Sequence, residues 1–309
     1  TVATRTSMPL LRASRSVAAL QAAAKACPDG RGILATALAN ENRTVLRSPY
    51  CWRMCAIGRD TMSGQLLHCQ SLGEGAQTVV LLHGLFGMSA NLMPLGRELA
   101  RSQRVLLPDL RNHGRSFHAP GMCYSDLAAD VMRLLDAHGI AQAALLGHSM
   151  GGKVAMQAAL DHPQRVTRIV VGDIAPVHYE PHHQLLLAAL REAAADTLAD
   201  RRATARILEQ HIDEAGVVAL MLMNRVLDDA GLWHWRFDLD AIEQGYADIL
   251  AAPQATAPYQ GAVLFLKGEH SDYITAAARD ATARLFPHAR LKVIAGAGHW
   301  LHAEKPTVF

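Results

Sequence analysis

The chain has 309 residues, half of them hydrophobic, which is enough for one large domain with an insertion. Its formal charge of +2 is unevenly distributed, because residues 1–59 hold nine of the 30 Lys and Arg but two of the 28 Asp and Glu. The remaining 21 basic and 26 acidic residues give residues 60–309 a net charge of −5, which argues against a nucleic-acid-binding protein. No apolar run reaches the ~18 residues that span a bilayer.

The cysteines are five in number, and their spacing fits neither a disulfide framework nor a zinc site. We therefore expect free thiols in a reducing compartment. The five are Cys27, Cys51, Cys55, Cys69 and Cys123.

The first 28 residues contain no acidic residue and are rich in Ala, Ser, Thr and Leu. Their basic residues are Arg5, Arg12, Arg15 and Lys25. This composition is typical of an organelle transit peptide, whereas a secretory signal would need an uncharged apolar core of about 7–15 residues. The alternative is a disordered basic tail. We expect residues 1–60 to be a transit peptide and linker.

Short apolar segments alternate with helix-forming segments over most of the remaining chain. The predicted strands are 78–82, 105–107, 141–146, 169–171, 262–266 and 291–294, with an edge strand near 65–70. Predicted helices over 92–102, 125–138 and 153–160 separate the earlier strands. This alternation predicts an α/β fold with a mainly parallel, doubly wound sheet.

The pattern changes between residues 177 and 259, where helices are predicted over 185–195, 203–214 and 217–227 and no strand is evident. We interpret this segment as a helical cap inserted into a core made of 61–176 and 260–309. Trp233, Trp235 and Phe237 are expected on its underside or at its contact with the core, with plain packing as the alternative to substrate contact.

One hexapeptide, Gly147-His148-Ser149-Met150-Gly151-Gly152, lies between a predicted buried strand and a predicted helix. The absence of side chains at Gly147 and Gly151 allows strand and helix to approach and form a sharp turn. This turn lifts the Ser149 hydroxyl clear of the sheet and places it near the positive end of the helix. In this context the pattern G-x-S-x-G predicts a nucleophile elbow.

A serine hydroxyl is a weak nucleophile at neutral pH and needs a base. His299 is the candidate, because it lies in a loop directly after the last predicted strand, across from the elbow. His302, three residues further on, is the competing histidine. The order of serine before histidine is that of the α/β-hydrolases.

Five motifs, in this order, resemble one family. They are LHGLFG at 82–87, DLRNHGRS at 109–116, GHSMGGK at 147–153, DIAPV at 173–177 and GHWLHA at 298–303. From about residue 64 to its end, the chain resembles the α/β-hydrolase-fold serine hydrolases. It is most similar to the branch that contains bacterial short esterases and the mitochondrial α/β-hydrolase domain-containing protein eleven. The sequence does not begin with Met, and family members continue into a final helix just where this chain stops, at residues 307–309. A fragment is therefore expected at both ends.

The acid that orients the imidazole has three candidates. Most relatives carry it in a Gly-x-x-Asp register, but here Gly268 puts Ser271 in that place, and Asp272 comes one residue late. The resembled branch instead has an acid after the strand that follows the elbow helix, which corresponds to Asp173. Asp240 is the third candidate, and Asp173 could instead serve as a buried loop cap.

An Asp173 carboxylate oxygen should lie within ~3.2 Å of the His299 Nδ1 if Asp173 is the acid. The oxyanion of acyl transfer needs two N–H donors, expected from the backbones of Met150 and Leu85, with Phe86 as the alternative to Leu85. His83 is expected to brace that loop.

The resemblance also implies residues around the site. The expected pocket residues are Phe86, His148, Trp235 and Trp300, and Asp109, Arg111 and His113 are expected to hold the loop beneath the site.

These features predict a serine hydrolase that cleaves carboxylic esters or thioesters through a Ser149 acyl-enzyme. The resemblance implies acyl lipids or acyl-CoA thioesters as substrates and a mitochondrial location, with the chloroplast as the alternative. No metal or organic cofactor is expected.

Dehalogenase and epoxide hydrolase chemistry needs a carboxylate in place of Ser149. The alternatives are C–C bond hydrolysis or perhydrolysis on the same fold, or a non-catalytic partner of an organellar enzyme complex.

Overall fold

The computed structural model describes residues 64–309. The predicted transit peptide and linker, with Cys27, Cys51 and Cys55, lie outside the described residues. Within 64–309, no helix has the length and apolar character needed to cross a membrane.

The core is a seven-stranded sheet. Its strands are β1 (Cys69–Leu72), β2 (Thr78–Leu82), β3 (Arg104–Pro108), β4 (Ala143–His148), β5 (Val166–Gly172), β8 (Ala262–Gly268) and β9 (Ala289–Ile294). They are arranged in the order β1-β3-β2-β4-β5-β8-β9, and all neighbours are parallel except β1 and β3. The mainly parallel sheet predicted from the sequence is confirmed, and the edge strand β1 begins later than the predicted 65–70.

Helices cover both faces of this sheet. Those of the core are α1 (Met93–Leu99), α2 (Tyr124–Ala137), α3 (Met150–Asp161), α9 (Arg279–Leu285) and α10 (Leu301–Glu304). The larger apolar cluster includes residues of α2 and α3, and a smaller one includes Leu81 and Leu107 with partly buried residues of α1. All five residues of β2 are buried, as expected for a strand covered on both faces.

The inserted segment between β5 and β8 is mostly helical. It contains α4 (Gln184–Ala195), α5 (Arg201–Leu208), α6 (Ala215–Met223), α7 (Leu239–Gln244), α8 (Tyr246–Leu250) and the antiparallel strands β6 (Arg225–Leu227) and β7 (Trp233–Trp235). The expectation that this segment has no strand is therefore wrong, as is a helix that continues to residue 227.

Asn224 explains where α6 ends. This buried residue follows the helix directly, and its Nδ2 donates to the Phe86 carbonyl of the core at 2.8 Å and to Leu220 O at 3.1 Å. Apolar residues before and after Asn224, at 217–223 and 226–227, suggest one helix in the sequence. A three-residue strand is too short to be recognised by its alternation.

The register of the sheet brings distant parts of the chain to one edge. His148 of β4 pairs with Gly172 of β5, Gly172 pairs with Leu266 of β8, and Gly268 pairs with Ile294 of β9. The loops that follow these four strands therefore start side by side, at the carboxyl edge where ligands bind in open α/β sheets.

The turn between β4 and α3 is closely packed. A Cβ on Gly147 would lie 2.0 Å from the Gly151 carbonyl oxygen, and a Cβ on Gly151 would lie 2.3 Å from Leu82 O. Ser149, between them, has φ 53° and ψ −121°, a conformation that costs an L-residue free energy. The sharp turn predicted from the two glycines is present.

Gly151→Ala should lower the free energy of unfolding by about 1–3 kcal/mol, because the added methyl group collides with the backbone of β2. Gly216→Ala is the matched control. Gly216 lies in α6 with no atom within 4 Å of a built Cβ, so this change should be neutral or stabilising. Urea denaturation of both variants measures the difference, and equal stability would contradict the packing described for the turn.

Candidate active site

Ser149 stands at the tip of the turn and is half-buried. Its backbone N–H donates to Gly172 O at 2.8 Å, which fixes the turn to the end of β5. The side chain lines a cavity of about 660 Å³ between the core and the inserted segment. The lining includes Leu85, Phe86, His148, Met150, Lys153 and His299.

Asp173 is the first residue after β5, and its side chain is fully buried. Its Oδ1 accepts from the Gly268 N–H at 3.0 Å, and its Oδ2 accepts from the Ser271 hydroxyl and from His299 Nδ1, the latter at 2.8 Å. The contact expected of the acid is therefore present. Asp173 therefore makes the contacts of both expected roles, because one carboxylate oxygen caps a backbone amide and the other orients the imidazole.

The other two candidate acids lie elsewhere. Asp272 is exposed, whereas its neighbour Ser271, in the register where most relatives carry the acid, donates its hydroxyl to Asp173. Asp240 is on α7 in the inserted segment, and its carboxylate pairs with Arg191 at 2.7 Å. The structure brings Asp173, and neither alternative, to the imidazole.

The loop that carries His299 is held from several sides. The His148 Nε2–H donates to His299 O at 2.8 Å, and Glu304 accepts from the backbone N–H groups of Gly298 and Trp300. Tyr273 stacks on the His299 ring with centroids 4.0 Å apart and planes 21° apart. These contacts fix the imidazole plane in addition to the bond from Asp173.

Sequence reasoning missed Tyr273. The residue follows Ser271 by two positions, and its own backbone N–H donates to the Ser271 hydroxyl at 3.2 Å. Its carbonyl accepts from the Tyr179 hydroxyl at 2.5 Å, which joins it to the inserted segment. No motif marks such a tyrosine, because stacking depends on how two loops meet.

The serine and the imidazole face the same cavity. Within residues 64–309 the Ser149 hydroxyl makes no hydrogen bond, and His299 Nε2 is the ring nitrogen left over from the bond to Asp173. Such pairs commonly tighten only when substrate binds. His302 does not line the cavity; it packs edge-on against His148 at 4.8 Å, and burial lowers its pKa to about 4.

The loop after β2 runs beside the serine, since a Cβ on Gly84 would lie 3.4 Å from the Ser149 Cβ. The Phe86 N–H is occupied, because it donates to His113 Nε2 at 3.1 Å. The N–H groups of Leu85 and Met150 donate to no protein group in the described part of the chain. Leu85 is therefore the better candidate for the oxyanion donor opposite Met150.

Two buried histidines hold this loop. His83 donates from Nδ1 to Gly84 O and accepts the Leu110 N–H on Nε2, and His113 donates to Arg111 O while accepting the Phe86 N–H. Burial lowers the pKa of both rings, that of His113 to about 3. Neutral rings are required here, because a protonated ring could not accept.

The loop between β3 and α2 is also braced by charge. Asp109 accepts from the backbones of Ser89 at 2.6 Å and Arg115 at 2.9 Å, and these bonds lower the pKa of its carboxyl although its burial acts to raise it. Arg111 makes a two-pronged ion pair with Asp130 at 2.5 and 2.9 Å. These contacts place Asp109, Arg111 and His113 beneath the site, away from the cavity.

Three of the four expected pocket residues line the cavity, namely Phe86, His148 and Trp300. Trp235 does not, and that expectation is corrected. Its ring stacks on Phe237 at 5.3 Å, and its Nε1–H donates to Leu190 O at 2.9 Å inside the inserted segment. A tryptophan ring packs well in a protein interior when its N–H finds an acceptor. The position of Trp235 in the sequence does not show whether its ring faces the cavity or the interior of the inserted segment.

No group of three or more His, Cys, Asp and Glu side chains in residues 64–309 is arranged to hold a metal ion. The polar groups that do converge form a serine, histidine and aspartate set with two amide donors. This set is able to carry out nucleophilic acyl transfer.

Comparison with known proteins places the chain in a family. The family model for the alpha/beta hydrolase fold matches residues 77–206. The chain is 36% identical over 273 residues to the sn-1-specific diacylglycerol lipase ABHD11 of Xenopus laevis, covering 86% of this chain and 85% of that one. It is 38% identical over 229 residues to the esterase YbfF of Escherichia coli K12, covering 74% and 88%.

A solved structure agrees. A marine microorganism esterase superposes with a TM-score of 0.77 at 34% identity, covering 79% of this chain and 97% of that one. The chain belongs to the α/β-hydrolase family, and the fold predicted from its motifs is confirmed.

Asp173→Asn should lower kcat by about 10³–10⁴-fold, because an amide in place of the carboxylate favours the wrong imidazole tautomer. Asp272→Asn is the matched control and should change kcat little, since its side chain is exposed. Steady-state hydrolysis of a short-chain ester, with circular dichroism to verify folding, measures both. A larger loss of kcat in Asp272→Asn than in Asp173→Asn would show that Asp272 is the acid.

Proposed function

We propose that the protein is a serine hydrolase that cleaves carboxylic esters or thioesters through an acyl-enzyme on Ser149. The observation that carries this proposal is the 2.8 Å bond between Asp173 and His299, whose imidazole lines the same cavity as Ser149. The names of the lipase and esterase relatives support an ester as the substrate.

In the acylation step, His299 Nε2 removes the proton from Ser149 as the hydroxyl attacks the carbonyl carbon. The Asp173 carboxylate accepts the Nδ1–H, which keeps Nε2 unprotonated and stabilises the imidazolium that forms. The oxyanion is received by the N–H groups of Leu85 and Met150. His299 then protonates the departing alcohol or thiol.

In the second step, water takes the place of the leaving group and His299 removes its proton. Attack on the acyl-enzyme releases the acid and restores the serine. The same two amides stabilise the second oxyanion.

The cavity suits an acyl chain. Beyond the serine it is lined by apolar side chains of the inserted segment, including Leu186, Val217, Leu220, Met221 and Ile249. Burial of each methylene in such a lining contributes about 0.8 kcal/mol. These features support an acyl lipid or an acyl-CoA thioester as the substrate class.

Ser149→Ala should lower kcat by about 10⁴–10⁶-fold without unfolding the protein, because the nucleophile is lost while the turn is kept. Ser102→Ala, at an exposed serine after α1, is the control and should retain wild-type activity. Labelling with a fluorophosphonate probe should vanish only in the first variant. An alanine variant that keeps a tenth of the wild-type rate would exclude Ser149 as the nucleophile.

We further propose that residues 1–60 direct the protein to mitochondria, because residues 1–28 combine arginines with a lack of acidic residues. Residues 1–60 fused to a fluorescent protein should enter mitochondria in cells. The same fusion with Arg12→Glu and Arg15→Glu should stay outside, since import depends on the positive charge. Chloroplast import or equal localisation of both fusions would contradict the proposal.

A further inference from the structure

Lys153 lies in the lining of the cavity without a charged partner. It is one turn along α3 from Ser149, which places the two residues about 6 Å apart along the helix axis. The residue is 1% exposed. It is the only lysine or arginine among the cavity-lining residues, all of which the structure describes.

Four groups hold the ammonium. Nζ donates to Leu250 O at 3.1 Å and to Ala251 O at 2.7 Å, at the end of α8. It also lies 4.6 Å from the ring centroid of Tyr179 and 5.5 Å from that of Tyr124. An ammonium has three N–H donors, so two carbonyls leave one donor over.

The charge itself is uncompensated. Within residues 64–309 no carboxylate lies within 4.0 Å of Lys153 Nζ, although buried cations are normally paired with an anion. Burial therefore lowers the pKa of this lysine to about 7. Carbonyls and aromatic faces compensate only part of the lost hydration.

The part of the cavity lining around Lys153 is buried. Met150, Ile174, Tyr124 and Leu250 are each 3–5% exposed. His299, which must protonate the leaving group, has a side chain that is 18% exposed. In the arrangement that we propose, the leaving group lies beside His299 on the more exposed side, and the acyl chain extends towards the lysine.

We propose that Lys153 selects substrates whose acyl chain carries a carboxylate. The spare N–H would donate to that carboxylate, which would supply the missing counter-charge in a site shielded from water. This inference rests on the proposed ester hydrolysis and adds a substrate class to it. Lys153 would contact the substrate but not the reacting atoms, so it is a specificity residue.

The titratable groups that face the ammonium are few. Tyr124 comes from α2 and Tyr179 from the start of the inserted segment, and burial raises the pKa of both phenols, which keeps them neutral. On α8, Asp248 precedes Leu250, whose carbonyl accepts from Lys153, by two residues. Burial raises the pKa of its carboxyl as well. Preference for an anionic substrate should therefore follow the protonation of Lys153 itself.

The test compares monoethyl adipate with ethyl hexanoate, which share the acyl length but differ in the terminal carboxylate. The quantity measured is the ratio of their kcat/KM values in the full-length chain. Lys153→Met should lower this ratio at least about tenfold, since a desolvated charge pair is lost. Lys153→Arg should keep more of the preference, and Lys292→Met, at an exposed lysine of β9, should leave the ratio unchanged.

A pH series on the wild-type enzyme gives a second readout that needs no substitution. The series is run above about pH 5, where the substrate carboxylate is ionised. Protonated Lys153 binds that carboxylate, so the ratio should be highest between about pH 5 and pH 7 and fall as the pH rises through pH 7. Protonation of the catalytic groups affects both esters alike and cancels in the ratio. In Lys153→Met the ratio should not change with pH.

A ratio that is unchanged in Lys153→Met, or flat with pH in the wild type, would overturn the proposal. The proposal would also be overturned if Lys153→Met lowered kcat/KM only for esters that carry the carboxylate on their alcohol part and not on their acyl chain. Fluorophosphonate labelling of Ser149 separates this failure from that of the proposed function. If the enzyme is labelled and hydrolyses both esters with the same kcat/KM, the anionic substrate class is refuted while the proposed ester hydrolysis stands.

Discussion

The buried carboxylate of Asp173 is the interaction on which the site depends. It accepts hydrogen bonds from the Gly268 amide, the Ser271 hydroxyl and the His299 imidazole, and no part of it reaches solvent. An ionised carboxylate is tolerated in such a place only when several donors satisfy it. The loops after β5, β8 and β9 meet at this carboxylate, and the same bonds orient the imidazole.

Backbone strain is concentrated at this edge of the sheet. Phe86, Ser149 and Asp173 are three of the four non-glycine residues with positive φ in the described chain, and Asn112 is the fourth. Each costs free energy that the surrounding packing must supply. The parallel strands provide that support, because their hydrogen-bonded register leaves the loops little freedom to relax.

The sequence was most informative where backbone geometry restricts residue type. The glycines around Ser149 are required by close approach, so the turn was predictable, and so was the position of His299 after the last strand. The identity of the acid depended on a branch resemblance, since Gly268 alone pointed to a register that Ser271 occupies. In the structure that serine donates to Asp173 instead.

Features that depend on long-range packing were not predictable. The stacking of Tyr273 on His299, the burial of Trp235 on Phe237 and the short β6–β7 pair all arise where separate segments meet. Lys153 belongs to the same class, because helical spacing shows that it shares a face with Ser149 but not that it lacks a counter-charge. The periodicity of the sequence predicts which face of a helix or strand is apolar, but it does not predict contacts between distant segments.

We propose that Ser149 carries out acyl transfer together with His299, which Asp173 orients. Rapid-quench mass spectrometry during turnover of a p-nitrophenyl ester tests it most directly. The protein should gain the mass of one acyl group, located by fragmentation to Ser149, and the adduct should disappear once the substrate is consumed. Turnover without an adduct, or an adduct on another residue, would contradict the mechanism.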